Sequence, residues 1–92
     1  MEDLKPEETE LIGMWLDLGS RVVGDAIQDR IDWLTEKRLE LLSPDPAAEE
    51  RLYRDPADGR LWERTPLVKG GPPRLSVVTA ELAAGKYNLS VV

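Results

Sequence analysis

Glycine and proline punctuate this 92-residue chain so closely that there is room for one long helix and otherwise only short elements. Seven of each are scattered along it, and the longest stretch free of both runs over residues 25–43. Gly24-Asp25 offers an N-cap there, since the aspartate can accept from an orphan N–H of the first turn, and Ser43-Pro44 forces a stop. The spacing therefore predicts a main helix over residues 26–42. At 100° per residue Val23, Ile27, Ile31, Leu34 and Leu41 fall within about 80° of one another, an apolar stripe suited to packing on a sheet. Arg38 falls inside that stripe, and its aliphatic stem is expected to lie there while the head reaches water.

The flanking segments read as hairpins and short helices. Pro6 with Glu7 and Glu8 suits a first helical turn, so a short helix ending at Gly13 is expected. Residues 14–18 and 21–23 are strand-like around Gly19-Ser20, which fits a two-residue type II′ turn with glycine first. Asp55-Pro56-Ala57-Asp58-Gly59 separates Arg51-Leu52-Tyr53-Arg54 from Arg60-Leu61-Trp62-Glu63-Arg64, a second hairpin. A four-residue loop over 56–59 sets Tyr53 opposite Trp62 and Arg54 opposite Leu61, whereas a slip of one residue sets Leu52 opposite Trp62; the first register is favoured. Residues 74–78 form a further strand. Thr79 then caps a last short helix that runs through Leu82 and ends at Gly85. The order α-β-β-α-β-β-β-α predicts an α+β fold: a small antiparallel sheet of about five strands, two hairpins plus one strand, packed against one long amphipathic helix, with short N- and C-terminal helices.

Length makes this one domain over residues 1–92, with residues 1–4 and 89–92 expected to fray at its ends. The absence of cysteine and histidine removes disulfides, thiol nucleophiles, imidazole bases and zinc sites built on those ligands. No cofactor or metal is implied. What is left for catalysis is a carboxylate pair, nominally Glu63 and Asp17, in a chain with little volume for a cleft, so an enzyme is the minority reading. No run of apolar residues approaches the length of a membrane span, and the acidic start is unlike a signal peptide, which places the chain in the cytoplasm. Twelve basic against 18 acidic side chains give a net charge of −6, opposing nucleic acid and anionic lipid and favouring a basic protein partner. The charge is two-sided: residues 1–50 sum to −9 and residues 51–92 to +3.

Opposite the apolar stripe, Asp25, Asp29, Asp32, Glu36 and Glu40 gather within about 80° on the predicted helix. Carboxylates four apart repel by roughly 0.2–0.5 kcal/mol per pair, and only Lys37 and Glu40 form an opposite pair along this ridge. A solvated face is the plain reading and Asp25 serves as a cap; the sharper one is a docking surface made by Asp29, Asp32, Glu36 and Glu40. The second hairpin mixes arginine with aromatic residues, the composition of binding hot spots, and offers Arg54, Arg60 and Trp62 as a second candidate surface. The tryptophans are also the residues a small core would use for packing. Other motifs fail. The 55–59 loop lacks calcium-loop carboxylates, Gly70-Gly71-Pro72-Pro73 lacks the N–H donors of a phosphate loop, and the acceptor tripeptide Asn88-Leu89-Ser90 is too common to carry meaning.

Four blocks together are more specific. Lys5-Pro6-Glu7-Glu8-Thr9-Glu10-Leu11-Ile12-Gly13 with Trp15, Arg30-Ile31-Asp32-Trp33-Leu34, Leu52-Tyr53-Arg54-Asp55-Pro56 with Asp58-Gly59-Arg60 and Trp62-Glu63, and Gly70-Gly71-Pro72-Pro73-Arg74-Leu75 resemble the immunity protein 27 family. The blocks span almost the whole chain in the right order. The departure lies between Glu63 and Gly70, where the family carries a longer polar insert containing tyrosine and this chain has only Arg64-Thr65-Pro66-Leu67-Val68-Lys69. The resemblance implies a small cytoplasmic protein encoded beside a bacterial polymorphic toxin, which binds the toxin domain and blocks it. An acidic inhibitor suits a basic toxin such as a nuclease, whose phosphate-binding groove it can occupy. The rival reading is a self-associating structural or adaptor domain with Trp33 and Leu39 in a homodimer seam; an immunity protein can also dimerise.

Overall fold

The computed structural model describes residues 1–87; the expected fraying of residues 89–92 and the tripeptide at 88–90 lie outside them. The organising unit is the hairpin of β5 (Arg51–Arg54) and β6 (Leu61–Pro66), in which Tyr53 faces Trp62 and Arg54 faces Leu61 as the favoured register requires. The turn holds that register through Asp55 N–H donating to Arg60 O at 2.9 Å, while Gly59 sits at φ +79°, open to residues without a Cβ. β7 (Pro73–Val78) pairs with β6, β1 (Glu10–Ile12) with β7, and the two-residue β4 (Glu40–Leu41) with β5. The result is a five-stranded antiparallel sheet in the order β1-β7-β6-β5-β4.

Strand alternation gives the sheet two unlike faces. Leu11, Tyr53, Trp62 and Leu75 lie on one, and Ile31, Leu34 and Leu39 close over them into the core, with Leu4, Trp33 and Val77 packed at its margin. Each such side chain contributes about 1.5–3 kcal/mol on burial. Leu52, Glu63 and Thr65 point the other way and are also buried. There α2 (Ala80–Tyr87) sits, held by Tyr87 Oη donating to Glu63 Oε2 at 2.6 Å and Lys86 Nζ at 2.8 Å from the same oxygen. Thr79 caps it as expected, through its side chain to Leu82 N–H and its carbonyl to Ala83 N–H. Gly85 does not end it.

Three expectations are corrected. Residues 5–8 make a single turn, closed by Glu8 N–H to Lys5 O and by Lys5 N–H to Glu8 Oε1, and the chain then extends into β1. Helix-start signals serve an isolated turn equally well, and Leu11 reaches the core opposite Leu75 only from a strand. The first hairpin forms, with Gly19 at φ +87°, but its strands β2 (Trp15–Asp17) and β3 (Val22–Gly24) make a separate two-stranded sheet. The main helix is shorter than residues 26–42: α1 (Ala26–Trp33), capped by Asp25 Oδ1 accepting from Gln28 N–H, continues as one wide turn over Leu34–Arg38 and stops at 13 residues. Leu39 N–H bonds Leu34 O, five residues back, at 2.8 Å, the wide π-type closure. Leu39 is then extended and buried, and Glu40–Leu41 leave to pair with Arg54 and Tyr53. Sheet pairing therefore wins over helical propensity in the last four predicted residues. Of the predicted stripe Ile31 and Leu34 are buried, whereas Ile27 and Leu41 are exposed and Val23 lies on β3.

Candidate protein-binding surface

The four carboxylates expected to line one helix face are divided by the fold. Asp29 and Glu36 are exposed on the helix, and among the described residues neither forms an ion pair. Asp32 is half-buried and engaged: Arg64 Nη2 donates to its Oδ1 at 2.8 Å while Arg64 Nη1 donates to Thr35 Oγ1. Arg64 sits on the helix-facing side of β6 directly opposite Arg51, so this carboxylate balances charge where two guanidinium groups are forced together. Glu40 is not on the helix. It stands opposite Arg54 across β4 and β5, and the two form a loose pair at 3.5 Å.

The second hairpin is likewise divided. Trp62 is fully buried in the core and is closed to a partner, which removes it from the candidate surface. Arg60 stacks over its ring at 4.9 Å and is spent on the N-terminal segment, donating to Lys5 O at 3.0 Å and Glu8 O at 2.7 Å while its Nε holds Asp58. Arg54 alone of the three is exposed. Leu39 is buried, which takes it out of any homodimer seam, and Trp33 is half-buried beneath Arg38, 5.6 Å from its ring. Arg38 does reach water, where it pairs with Asp3. Glu63 and Asp17 belong to different sheets, Glu63 closed under α2 and Asp17 bound to the Gly19 N–H of its own hairpin, so they share no cleft.

Residues 2–8 are held as a strap by three arginines. Arg30 grips Glu8 in a bidentate pair at 2.7 and 2.8 Å and also donates to Glu2 O and Asp3 O; Arg38 grips Asp3; Arg60 takes the carbonyls of Lys5 and Glu8. The Arg30 hydrogen bonds pull the Glu8 carboxyl down to about 2, against the cost of its partial burial. The same contact raises Arg30, and Arg38 lowers Asp3 likewise. Desolvation and the Glu63 carboxylate push the Tyr87 phenol well above its usual range.

These pairs leave a lopsided remainder. Among the described residues, eight of the 12 cations are matched to nine of the 18 carboxylates. Four cations, Arg21, Lys37, Arg51 and Lys69, remain against nine acids, Asp29 and Glu36 among them. Pairing takes a larger share of the cations than of the acids, so the unpaired remainder is acidic. Grooves among the described residues are open and small, about 260 to 370 Å³. Among the described residues no three metal-ligating side chains cluster, and no helix is long and apolar enough to cross a membrane.

A second surface was not legible as such. The β2–β3 hairpin exposes Met14, Trp15, Leu16, Leu18 and Val22 at 46–60% each. The signal available in the sequence was the failure of residues 14–18 to alternate, since a strand of the main sheet would show one polar face.

The class this describes is a small α+β domain with an acidic, largely uncompensated surface and an apolar hairpin at one end. The chain belongs to the immunity protein 27 family, whose model matches residues 17–79, from the end of β2 through the last strand of the sheet. Its general function is that of an immunity protein. Neither a curated protein nor a solved structure matches the chain. The segment between Glu63 and Gly70, where the resemblance departs, is the second half of β6 and the start of its turn to β7, and it ends in the exposed Leu67 and Val68.

Proposed function

We propose that the protein neutralises a cognate bacterial toxin domain by stoichiometric binding in the cytoplasm of the producing cell, without catalysis of its own. The observation that carries this, given the family, is the acidic remainder: Asp29 and Glu36 stand unpaired on the helix among the described residues, while Arg30 and Arg64 nearby are taken by Glu8 and Asp32 and only Lys37 is left beside them. Free carboxylates on one face speed encounter with a basic partner and reject acidic ones. A nuclease domain, which is basic where it grips phosphates, fits that field. Asp32 contributes less, its charge already shared with Arg64, and Glu40 stands apart from the helix on β4, paired with Arg54.

The test is coexpression with the toxin domain encoded by the adjoining gene. Growth of the host should be restored by the wild-type chain, the two proteins should co-purify at one to one, and Asp29→Lys with Glu36→Lys should slow association at low salt. Failure of the wild-type chain to protect or to bind would sink this reading. The alternative of a self-associating adaptor has lost Leu39 to the core, and no feature of the face favours it.

A further inference from the structure

Five large apolar side chains within nine residues, Met14 to Val22, stand about half in water on a hairpin outside the main sheet. Together they expose on the order of 500 Å², divided between the two faces of the ribbon, Trp15 and Val22 on one and Met14, Leu16 and Leu18 on the other, so that apolar surface meets water on both sides. A two-stranded ribbon is marginal without something packed on it. Here the ribbon touches the body chiefly where β3 meets the start of α1, with Asp25 N–H donating to Met14 O at 2.9 Å. Scattered surface leucines need no explanation, but a run placed on the element with the least support does. Asp17 lies on the ribbon, Asp25 at its exit and Asp29 one turn along α1; Arg21 is the ribbon's sole cation.

From this arrangement we propose that the β2–β3 hairpin is the anchor of the toxin interface, inserting Trp15, Leu16 and Leu18 into an apolar cleft that the toxin domain rims with lysine or arginine. This rests on the immunity reading above and adds where the affinity resides. The acidic helix face sets the rate of encounter; the ribbon supplies the desolvated centre that interfaces require, with tryptophan the residue most often found there. Charge selects this occupant over a second copy of the chain. Two molecules of net charge −6 would bring the same aspartates together around the same apolar patch, and like charges across an interface oppose docking.

The experiment measures binding of the adjoining gene's toxin domain to the wild-type chain, to Trp15→Ser with Leu16→Ser and Leu18→Ser, and to Asp29→Lys with Glu36→Lys. The hairpin variant should lose at least about 100-fold in affinity, mostly through faster dissociation, with its melting transition kept. The lysine variant should chiefly lose association rate. Amide exchange of the wild-type complex gives an answer that needs no substitution: residues 14–23 should gain protection on binding. If the wild-type chain binds, but the hairpin variant binds as well and residues 14–23 stay unprotected, the anchor lies elsewhere and the immunity reading stands. If the wild-type chain neither binds nor protects, both fail together. If the free wild-type chain sediments as a dimer that the hairpin variant abolishes, the ribbon is occupied by a second copy and the proposal is overturned.

Discussion

Replacing Glu8 with glutamine should uncouple the strap from the helix in a way that pH reports. In the folded protein the Arg30 hydrogen bonds hold the Glu8 carboxyl at about 2, against an ordinary value of 4.5. At 1.36 kcal/mol per pH unit the charged pair stabilises the fold by at most about 3 kcal/mol. The two side chains keep 17% and 21% of their exposure, so water screens the pair and about 1–2 kcal/mol is the expected yield. For a domain of this size that is roughly 5–15 °C in melting temperature. The folded-state value is depressed, so the contribution is complete above pH 4.5 and disappears as pH falls through 2. Thermal unfolding followed by circular dichroism between pH 7 and pH 2 should therefore show the wild-type chain melting above Glu8→Gln at neutral pH, with the two curves converging as the acid limit nears. Glu7→Gln, one residue away and without an ion-pair partner among the described residues, is the control and should follow the wild type. A gap that is absent at pH 7, or that persists undiminished at pH 2, would refute the argument.

Trp62→Ala should cost about 3–5 kcal/mol, because the ring fills the space between sheet and helix with no exposed edge to relax into. In a domain whose total stability is on the order of 5–15 kcal/mol this removes a third or more of it at typical values, visible as a lower melting temperature in the near-ultraviolet dichroism. Tyr87→Phe should cost about 1–2 kcal/mol by removing a donor from the buried Glu63 carboxylate, read as a lower denaturation midpoint in urea. The phenol of Tyr87 should also stay protonated through alkaline titration at 295 nm beyond the pH at which a free tyrosine ionises.

What the sequence disclosed and what it hid follow one physical division. The Tyr53 and Trp62 register was legible because loop length and glycine placement fix a hairpin locally. The Asp25 and Thr79 caps were legible for the same reason, each being a contact within a few residues. The end of the main helix was not, since nothing between Leu39 and Leu42 is a poor helix former; what stops it is pairing with Arg54 and Tyr53, more than ten residues ahead. The strap was hidden likewise, because Glu8 and Arg30 meet across 22 residues. Trp62 as core rather than surface depended on which face of a strand the helix covers, and alternation alone leaves the two faces equivalent until the topology chooses.

The same division bears on where binding resides. Asp3, Glu8, Asp32 and Glu63 each hold a distant segment, so replacing them mixes stability with function. Asp29 and Glu36 hold nothing, and their neighbours along the helix repel rather than attract them. Substituting lysine there should leave stability unchanged or raise it by a few tenths of a kcal/mol by easing that repulsion, while binding to a basic toxin weakens. A solvated face with no task predicts only the first effect. Opposite signs in a urea melt and in an association rate, measured on the same double variant, would separate a docking face from inert surface, and a loss of stability would show that these carboxylates serve the fold after all.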